Sequence, residues 1–348
     1  LLLVTGLCLA GAGGLNLLVA NEERIRNFAP QSPVRQADQL INRQFAGSRA
    51  LDLVLVAARP GALVEPEVIE RVRNLQVELA ARGLMHSPHS YVDLIDTMTR
   101  AAAEGAEPAP VTDADAVEQW LFLYELAGAR TAVDDRLSPA RNLAYIRGFR
   151  ATDNYRELAP VAARIQRLAE QHLEGSGIHP QLAGPGALVL PLFEPVLPDM
   201  LFGAGMALLL VALASGLVLG SAWRGLLCML PVSMSLLTVF GVMGWTGVWL
   251  DVATAMMASI AIGLGVDFAI YTQHAAVLAR RAGLRGHALA ASVYARVASP
   301  LSANTLILAI GFSVTALSSI PPVRHFGLLV AASVLAAALS ALLTLPAI

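Results

Sequence analysis

The stretch AMMASIAIGLGVDFAIYTQHAA, residues 255–276, is apolar and long enough to cross a bilayer, for which about 20 mostly apolar residues suffice. It nevertheless carries Asp267 well inside. A carboxylate near the bilayer centre costs roughly 2.5–3.5 kcal/mol on insertion scales, so it is rarely kept without a partner or a purpose. On a helix, Gly263 stands one turn before the acid, Tyr271 one turn after it and His274 two turns after, all on one face. A gap, an acid, a phenol and an imidazole thus run toward one membrane surface, and the rest of the chain reads as scaffolding for this helix.

Composition agrees. The chain is 56% hydrophobic and 14% charged, against roughly 25% charged in soluble domains. Residues 20–198 hold 18 Arg against 23 Asp and Glu, whereas the remainder holds 6 Arg against 3 Asp. A soluble, mildly acidic domain is therefore expected inside a membrane protein. Its acidity, without a basic stripe, argues against nucleic acid as a partner. Cys8 and Cys228 both fall in apolar spans, which leaves no disulfide framework and no thiolate metal site.

Residues 1–19 are expected to form a first transmembrane span, not a cleaved signal peptide, because no basic segment precedes the apolar run. Residues 20–198 read as a β-α-(helical insert)-β-α-β domain, an open-faced sheet with helices on one side. Strands are expected at residues 51–58, 143–149 and near 178–183. Helices are expected from Pro66 to Gly83, from Ser90 through Met98, from Asp113, and behind an Asn154/Glu157 capping box, with residues 104–111 as a loop. Residues 199–348 hold spans two to six, at about 200–220, 225–245, 253–277, 300–318 and 326–348. Arg224, Arg280, Arg281, Arg285 and Arg296 lie in loops on one side and Arg324 on the other, which puts the former in the cytoplasm and the soluble domain outside. Gly216-x-x-x-Gly220, Ser259-x-x-x-Gly263 and the Ala-rich run 331–341 offer close helix approach, and Pro231 is expected to kink its span.

Asp267 has two readings: a structural acid bonded to a neighbouring helix, or a proton-carrying carboxylate. Asn304 and Thr305 in the next span are its nearest candidate partners, Thr305 being equally readable as a hydroxyl bonded to its own helix. Tyr271 and His274 are read either as relay members or as anchors near the membrane surface. His325 reads as a solvated loop residue, and residues 280–296 as an interfacial helix on anionic lipid.

Leu250-Asp251 with Ala253-Thr254, followed by Gly263-Leu264-Gly265-Val266-Asp267-Phe268-Ala269-Ile270, resembles the fourth span of RND-superfamily transporters. The branch is the MMPL and hopanoid/sterol-exporter group, related to Patched-type proteins. Further matches are NFAPQSPV at residues 27–34, Phe45-Ala46-Gly47-Ser48, Gly184-Pro185-Gly186 and SANTLILAIGFSVTALSSIPP at residues 302–322. The resemblance implies an RND-type bundle of six transmembrane helices with an inserted α+β, ferredoxin-like periplasmic porter domain, in a bacterial inner membrane. It implies export of lipidic cargo (a sterol, hopanoid or other lipid) driven by protons as the coupling ion, without cofactor or metal. Asp267 would carry the proton, supported by Gly263, Gly265, Tyr271, His274, Asn304 and Thr305, while no residue is assigned to the cargo. Expected partners are membrane lipids, periplasmic lipid carriers and a complementary half or second copy. Two departures stand out: Phe268 replaces a Tyr common in relatives, and one unit is present where such transporters have two.

Two readings from other classes stand beside this one. An intramembrane aspartyl protease needs two carboxylates sharing a proton, and Asp199 and Asp251 lie at span ends. A sterol- or lipid-responsive sensor would share the spans without transport.

Overall fold

The computed structural model describes residues 11–45, 47–103 and 113–344. Most of the first expected span and the expected loop at 104–111 fall outside them. The chain divides into a mixed unit, Gln31–Leu192, and a helical unit made of Leu1–Pro30 with Phe193–Ile348. Residues 20–30 belong with the helices because Ala20 bridges Leu250, the Asn21 amide donating to the Leu250 carbonyl at 3.1 Å.

In the mixed unit, α1 (Pro33–Gln44) precedes the central strand β1 (Arg49–Ala57). α2 (Pro66–Ala81) leads to β2 (His86–His89), and α3 (Val92–Ala102) and α4 (Ala114–Tyr124) form the insert before β3 (Leu143–Arg150). α5 (Tyr155–His172) then leads to β4 (Ile178–Ala183). The sheet runs β2-β3-β1-β4 and every pairing is antiparallel. Leu51, Leu53, Leu55 and Ala57 alternate to one side of β1 and are buried, as strand period requires. Val68, Val72, Leu75 and Leu79 of α2, and Leu158, Ile165 and Leu168 of α5, form the matching buried helical stripes. The sheet is therefore covered on one side.

Two elements escape a pattern reading. β2 is four residues (HSPH) without alternation, and α1, whose Val34, Leu40 and Ile41 keep helical spacing, buries no side chain. α1 starts at Ser32, whose hydroxyl accepts from the Arg35 amide, with Pro33 in the first turn. At α5 the Asn154 side chain does accept from the Arg156 and Glu157 amides, but the reciprocal half of the expected capping box is replaced: the Asn154 amide donates to the Thr152 hydroxyl at 3.0 Å.

The helical unit contains α6 (Val196–Leu219), α7 (Ala222–Leu227), α8 (Met229–Thr246), α9 (Val252–Arg281), α10 (Gly286–Ser313) and α11 (Pro321–Thr344). Five stretches among the described residues are long and apolar enough to cross a membrane: Val189–Leu219, Ala222–Thr246, Val252–Arg281, Gly286–Leu317 and Pro321–Leu343. Residues 11–15 are helical as well, and a Cβ on Gly244 would stand 1.9 Å from the Gly14 oxygen, so the two backbones touch there.

Several local expectations are corrected. Residues 286–299 are not a separate interfacial helix: they are the first half of α10, whose Leu289, Val293 and Val297 enter the bundle core. His325 lies within α11, not in a loop, because Pro321 and Pro322 open that helix, a position where a missing amide costs nothing. Gly220 does not pair helices; with φ +66° it ends α6, and the close approach belongs to Gly225, whose Cβ would meet the Gly216 backbone at 2.7 Å. Pro231 lies in the first turns of α8, and the helix is interrupted at Cys228.

On the uncovered side of the sheet, Asp52 accepts from Arg147 Nε at 2.7 Å and Nη2 at 2.8 Å, a forked pair between facing residues of β1 and β3. Asp52 is buried and Arg147 half-exposed, which places the pair between weak surface bridges and costly buried ones. Replacing Asp52 by Ala is expected to destabilise the unit by about 1–2 kcal/mol. Hydrogen exchange should show it as roughly tenfold or greater loss of amide protection along β1 and β3, with the helical unit unchanged.

Candidate functional site: an open polar face on α9

The strand-like bridge at Ala20 and Leu250 fixes where α9 begins. Asp251 caps it: its carboxylate accepts from the Thr254 amide at 2.7 Å and hydroxyl at 2.9 Å, and the Asp251 amide donates back to that hydroxyl at 2.8 Å. Asp251 is thus occupied as a helix cap. From this start α9 runs unbroken for 30 residues, and its 3.6-residue period sorts its side chains into two faces.

The inward face packs Met257, Ala258, Ala261, Ile262, Gly265, Phe268, Ala269 and Thr272. The outward face, spaced by threes and fours, is Met256, Ser259, Gly263, Asp267, Tyr271, His274 and Leu278, all exposed. The two glycines of Gly-x-Gly-x-Asp therefore do different work. At Gly265 a Cβ would meet Val232 at 3.3 Å and Ala337 at 3.5 Å, so this glycine lets α8 and α11 approach the helix. At Gly263 a Cβ would meet nothing within 4 Å. The Ser259-x-x-x-Gly263 face is open, whereas the alanines of the 331–341 run, Ala331, Ala336, Ala337, Ala338 and Ala341, are spent inside this unit.

α9 and α10 form an antiparallel hairpin turned at residues 282–285. The hairpin brings Asp267, Phe268 and Tyr271 against Pro300, Leu301 and Asn304, which together line a cavity of about 230 Å³. Asp267 with Tyr271 and Pro300 with Asn304 are each one turn apart on their helices, so both pairs face the same space. Pro300 has no amide to donate to the Arg296 carbonyl, which leaves a backbone acceptor without its helical partner beside the cavity. Among the described residues Asp267, Tyr271, His274 and Asn304 make no hydrogen bond or ion pair.

Three of the residues singled out by sequence thus share one cavity: Asp267, Tyr271 and Asn304. The others do not join it. Thr305 is buried, and its hydroxyl donates to the Leu301 carbonyl of its own helix at 2.7 Å. His274 and Gly263 lie on the Asp267 face but outside the cavity lining, and Gly265 points into the core. Phe268 is 2% exposed, so its ring closes the inner wall of the cavity where a Tyr would add a hydroxyl. Pattern reading missed Pro300 and Leu301, whose roles need the hairpin register. It also missed the interior hydroxyls: Ser235 donates to the Ser333 carbonyl at 2.7 Å, linking α8 to α11, and Ser333 donates to the Val330 carbonyl of its own helix at 2.8 Å. Small hydroxyls bonded to backbone leave no periodic trace in a sequence.

An apolar multi-helix bundle with a polar, partnerless stripe on its longest inner helix, joined to a mixed unit with a four-stranded sheet, defines a multi-pass membrane protein. Residues 89–348 match the MMPL family, and the chain belongs to that RND-type family. It is also similar to MJ1562 of Methanocaldococcus jannaschii, named as a membrane protein, with 28% identity over 99 residues that cover 28% of this chain and 26% of that protein. The chain thus matches about a quarter of that curated relative's length.

The two glycines give a direct test. Gly265→Leu is expected to wedge α8 and α11 apart and lower the melting temperature of the detergent-solubilised chain by several degrees, the effect of overpacking by about 1–3 kcal/mol. Gly263→Leu, on open surface, should leave that melting temperature within a degree or so.

Proposed function

We propose that this chain is one unit of a proton-driven RND-type exporter that moves lipidic or hydrophobic molecules from the inner membrane into the periplasm. The carrying observation is that Asp267, in the middle of an apolar helix, has no hydrogen-bond or ion-pair partner among the described residues and opens into a cavity shared with Tyr271 and Asn304. A carboxylate so placed is stable in a membrane when protonated, or when another helix or water meets it. Loading and releasing a proton is the chemistry that such a group supplies. Asn304, with donor and acceptor atoms, can bond either protonation state, and Tyr271 can pass a proton toward the membrane surface on which His274 also lies.

The exposed Ser259, Gly263 and Asp267 stripe supports the need for a complementary bundle, a second half or another copy, whose helices would cover it. Small residues on that face permit the close approach that would bury the acid, as in repeat-built transporters with a midplane site. The helix at residues 11–15 supports a sixth span, and the β2-β3-β1-β4 order with two crossover helices supports a ferredoxin-like porter fold. Five arginines on one side against one on the other support a periplasmic mixed unit, where a lipid carrier would receive the cargo. A sterol- or lipid-responsive sensor remains the second reading, since it would use the same spans without moving cargo.

In proteoliposomes with an imposed proton gradient, the full-length gene product is expected to move a lipid cargo, and Asp267→Asn, which keeps the size but cannot cycle a proton, to reduce this to background. Wild-type rates in a correctly inserted Asp267→Asn protein would remove the proton-carrier role. Lipid binding without gradient-dependent movement in the wild type would favour the sensor.

The open face yields an expectation of its own. The 348-residue chain reconstituted as a monomer should not transport, and activity should return with a complementary bundle. Gradient-driven movement by a confirmed monomer would count against it.

A further inference from the structure

The mixed unit is acidic, with 16 Arg against 20 Asp and Glu over residues 31–192, and its best-held arginines are paired with carboxylates. Arg49 pairs with Asp38 and Asp153, Arg73 with Asp96 and Glu70, Arg141 with Glu118 and Glu125, and Arg147 with Asp52. Against this background one cavity is anomalous. It measures about 390 Å³ and is lined by Arg82, Arg164 and Arg167 with Gln171, over Leu84 and Leu168. Its volume falls in the range of small-ligand sites, roughly 300–1,000 Å³.

Local structure fixes this lining. Arg164, Arg167, Leu168 and Gln171 recur at three and four residues and so share one face of α5. Opposite them, α2 ends at Ala81, and Gly83, at φ +63°, turns the chain so that Arg82 and Leu84 face α5. Arg150 Nη1 donates to the Gly83 and Leu84 carbonyls at 3.3 and 3.0 Å, so these oxygens at the helix end are already occupied. Arg82 is balanced by Glu78, whose carboxyl is held below the usual carboxylate range by hydrogen bonds from His172 and Arg82. The other two cations are not balanced. Arg164 has no hydrogen bond or ion pair among the described residues, and Arg167 Nε reaches only the Ala163 carbonyl of its own helix at 3.1 Å. Arg82, Arg164 and Arg167 are exposed and line one groove together, and among the described residues no carboxylate pairs with the last two.

We infer that this cavity is an oxyanion site that takes a phosphate group between Arg164 and Arg167, either as free phosphate or as a lipid headgroup. Guanidinium forks match phosphate oxygens two at a time, Gln171 adds an amide donor, and Leu84 and Leu168 offer an apolar wall to carbon next to the phosphorus. The inference is independent of the proton-coupled reading, since it concerns neither Asp267 nor the helical unit.

The test is calorimetric titration of the detergent-solubilised full chain at fixed salt. The probes are inorganic phosphate and dihexanoylphosphatidic acid below its micelle threshold. At least one should bind, and Arg164→Gln with Arg167→Gln should weaken it about tenfold or more, the scale of losing a charge-assisted hydrogen bond. Arg43→Gln with Arg100→Gln removes the same charge elsewhere in the unit and should change affinity less than twofold. Arg164→Lys with Arg167→Lys, which keeps the charge and loses the fork, should retain part of the binding and so separates site chemistry from misfolding. Tighter binding of phosphatidic acid assigns the site to a headgroup, and equal binding assigns it to free phosphate. Absence of binding by both probes, or an equal loss in the Arg43 and Arg100 double variant, overturns the inference.

Discussion

A carboxylate on an apolar helix must be met by something, and among the described residues no hydrogen bond or ion pair meets Asp267. That constraint organises the bundle. α9 runs for 30 residues, and on its inner face it is gripped by α8 and α11 through Gly265. Its outer face is left to Ser259, Gly263, Asp267, Tyr271 and His274. The packing energy of the inner face, with Met257, Phe268 and their neighbours buried, is what allows the unit to hold a polar outer stripe without unravelling.

The contrast with the mixed unit is electrostatic. There the sheet is covered on one side, and charges on the other are matched by forked or short contacts such as Asp52 with Arg147. Asp38, Arg49 and Asp153 likewise tie α1 to the start of β1 and the chain after β3. Charge left over is therefore informative in both units. In the bundle the acid within the apolar span stands beside a hydrogen-bonding amide and a phenol. In the mixed unit two such arginines stand beside a third, in a cavity with an apolar wall. The first arrangement suits a small cation that comes and goes, the second an anion that stays.

Membrane character, the α9 helix and its polar stripe were legible in the sequence because hydropathy and the 3.6-residue period are local properties. The strands β1, β3 and β4 were legible for the same reason, each being a run of buried-type residues bounded by turns. β2 was not, since its four residues (HSPH) hold no apolar alternation. The sequence by itself placed Asp267, Tyr271 and His274 on one face and named Asn304 as a partner, since spacing alone decides the first and proximity along the chain suggests the second. Only the tertiary structure could decide that Gly263 is open while Gly265 is packed, that Thr305 is turned to its own backbone, and that Pro300 and Leu301 close the cavity. Those facts depend on which neighbouring helix lies against which face. That is set by the hairpin register of α9 with α10 and by the contacts of α8 and α11, and a periodic pattern read along one helix carries no record of them.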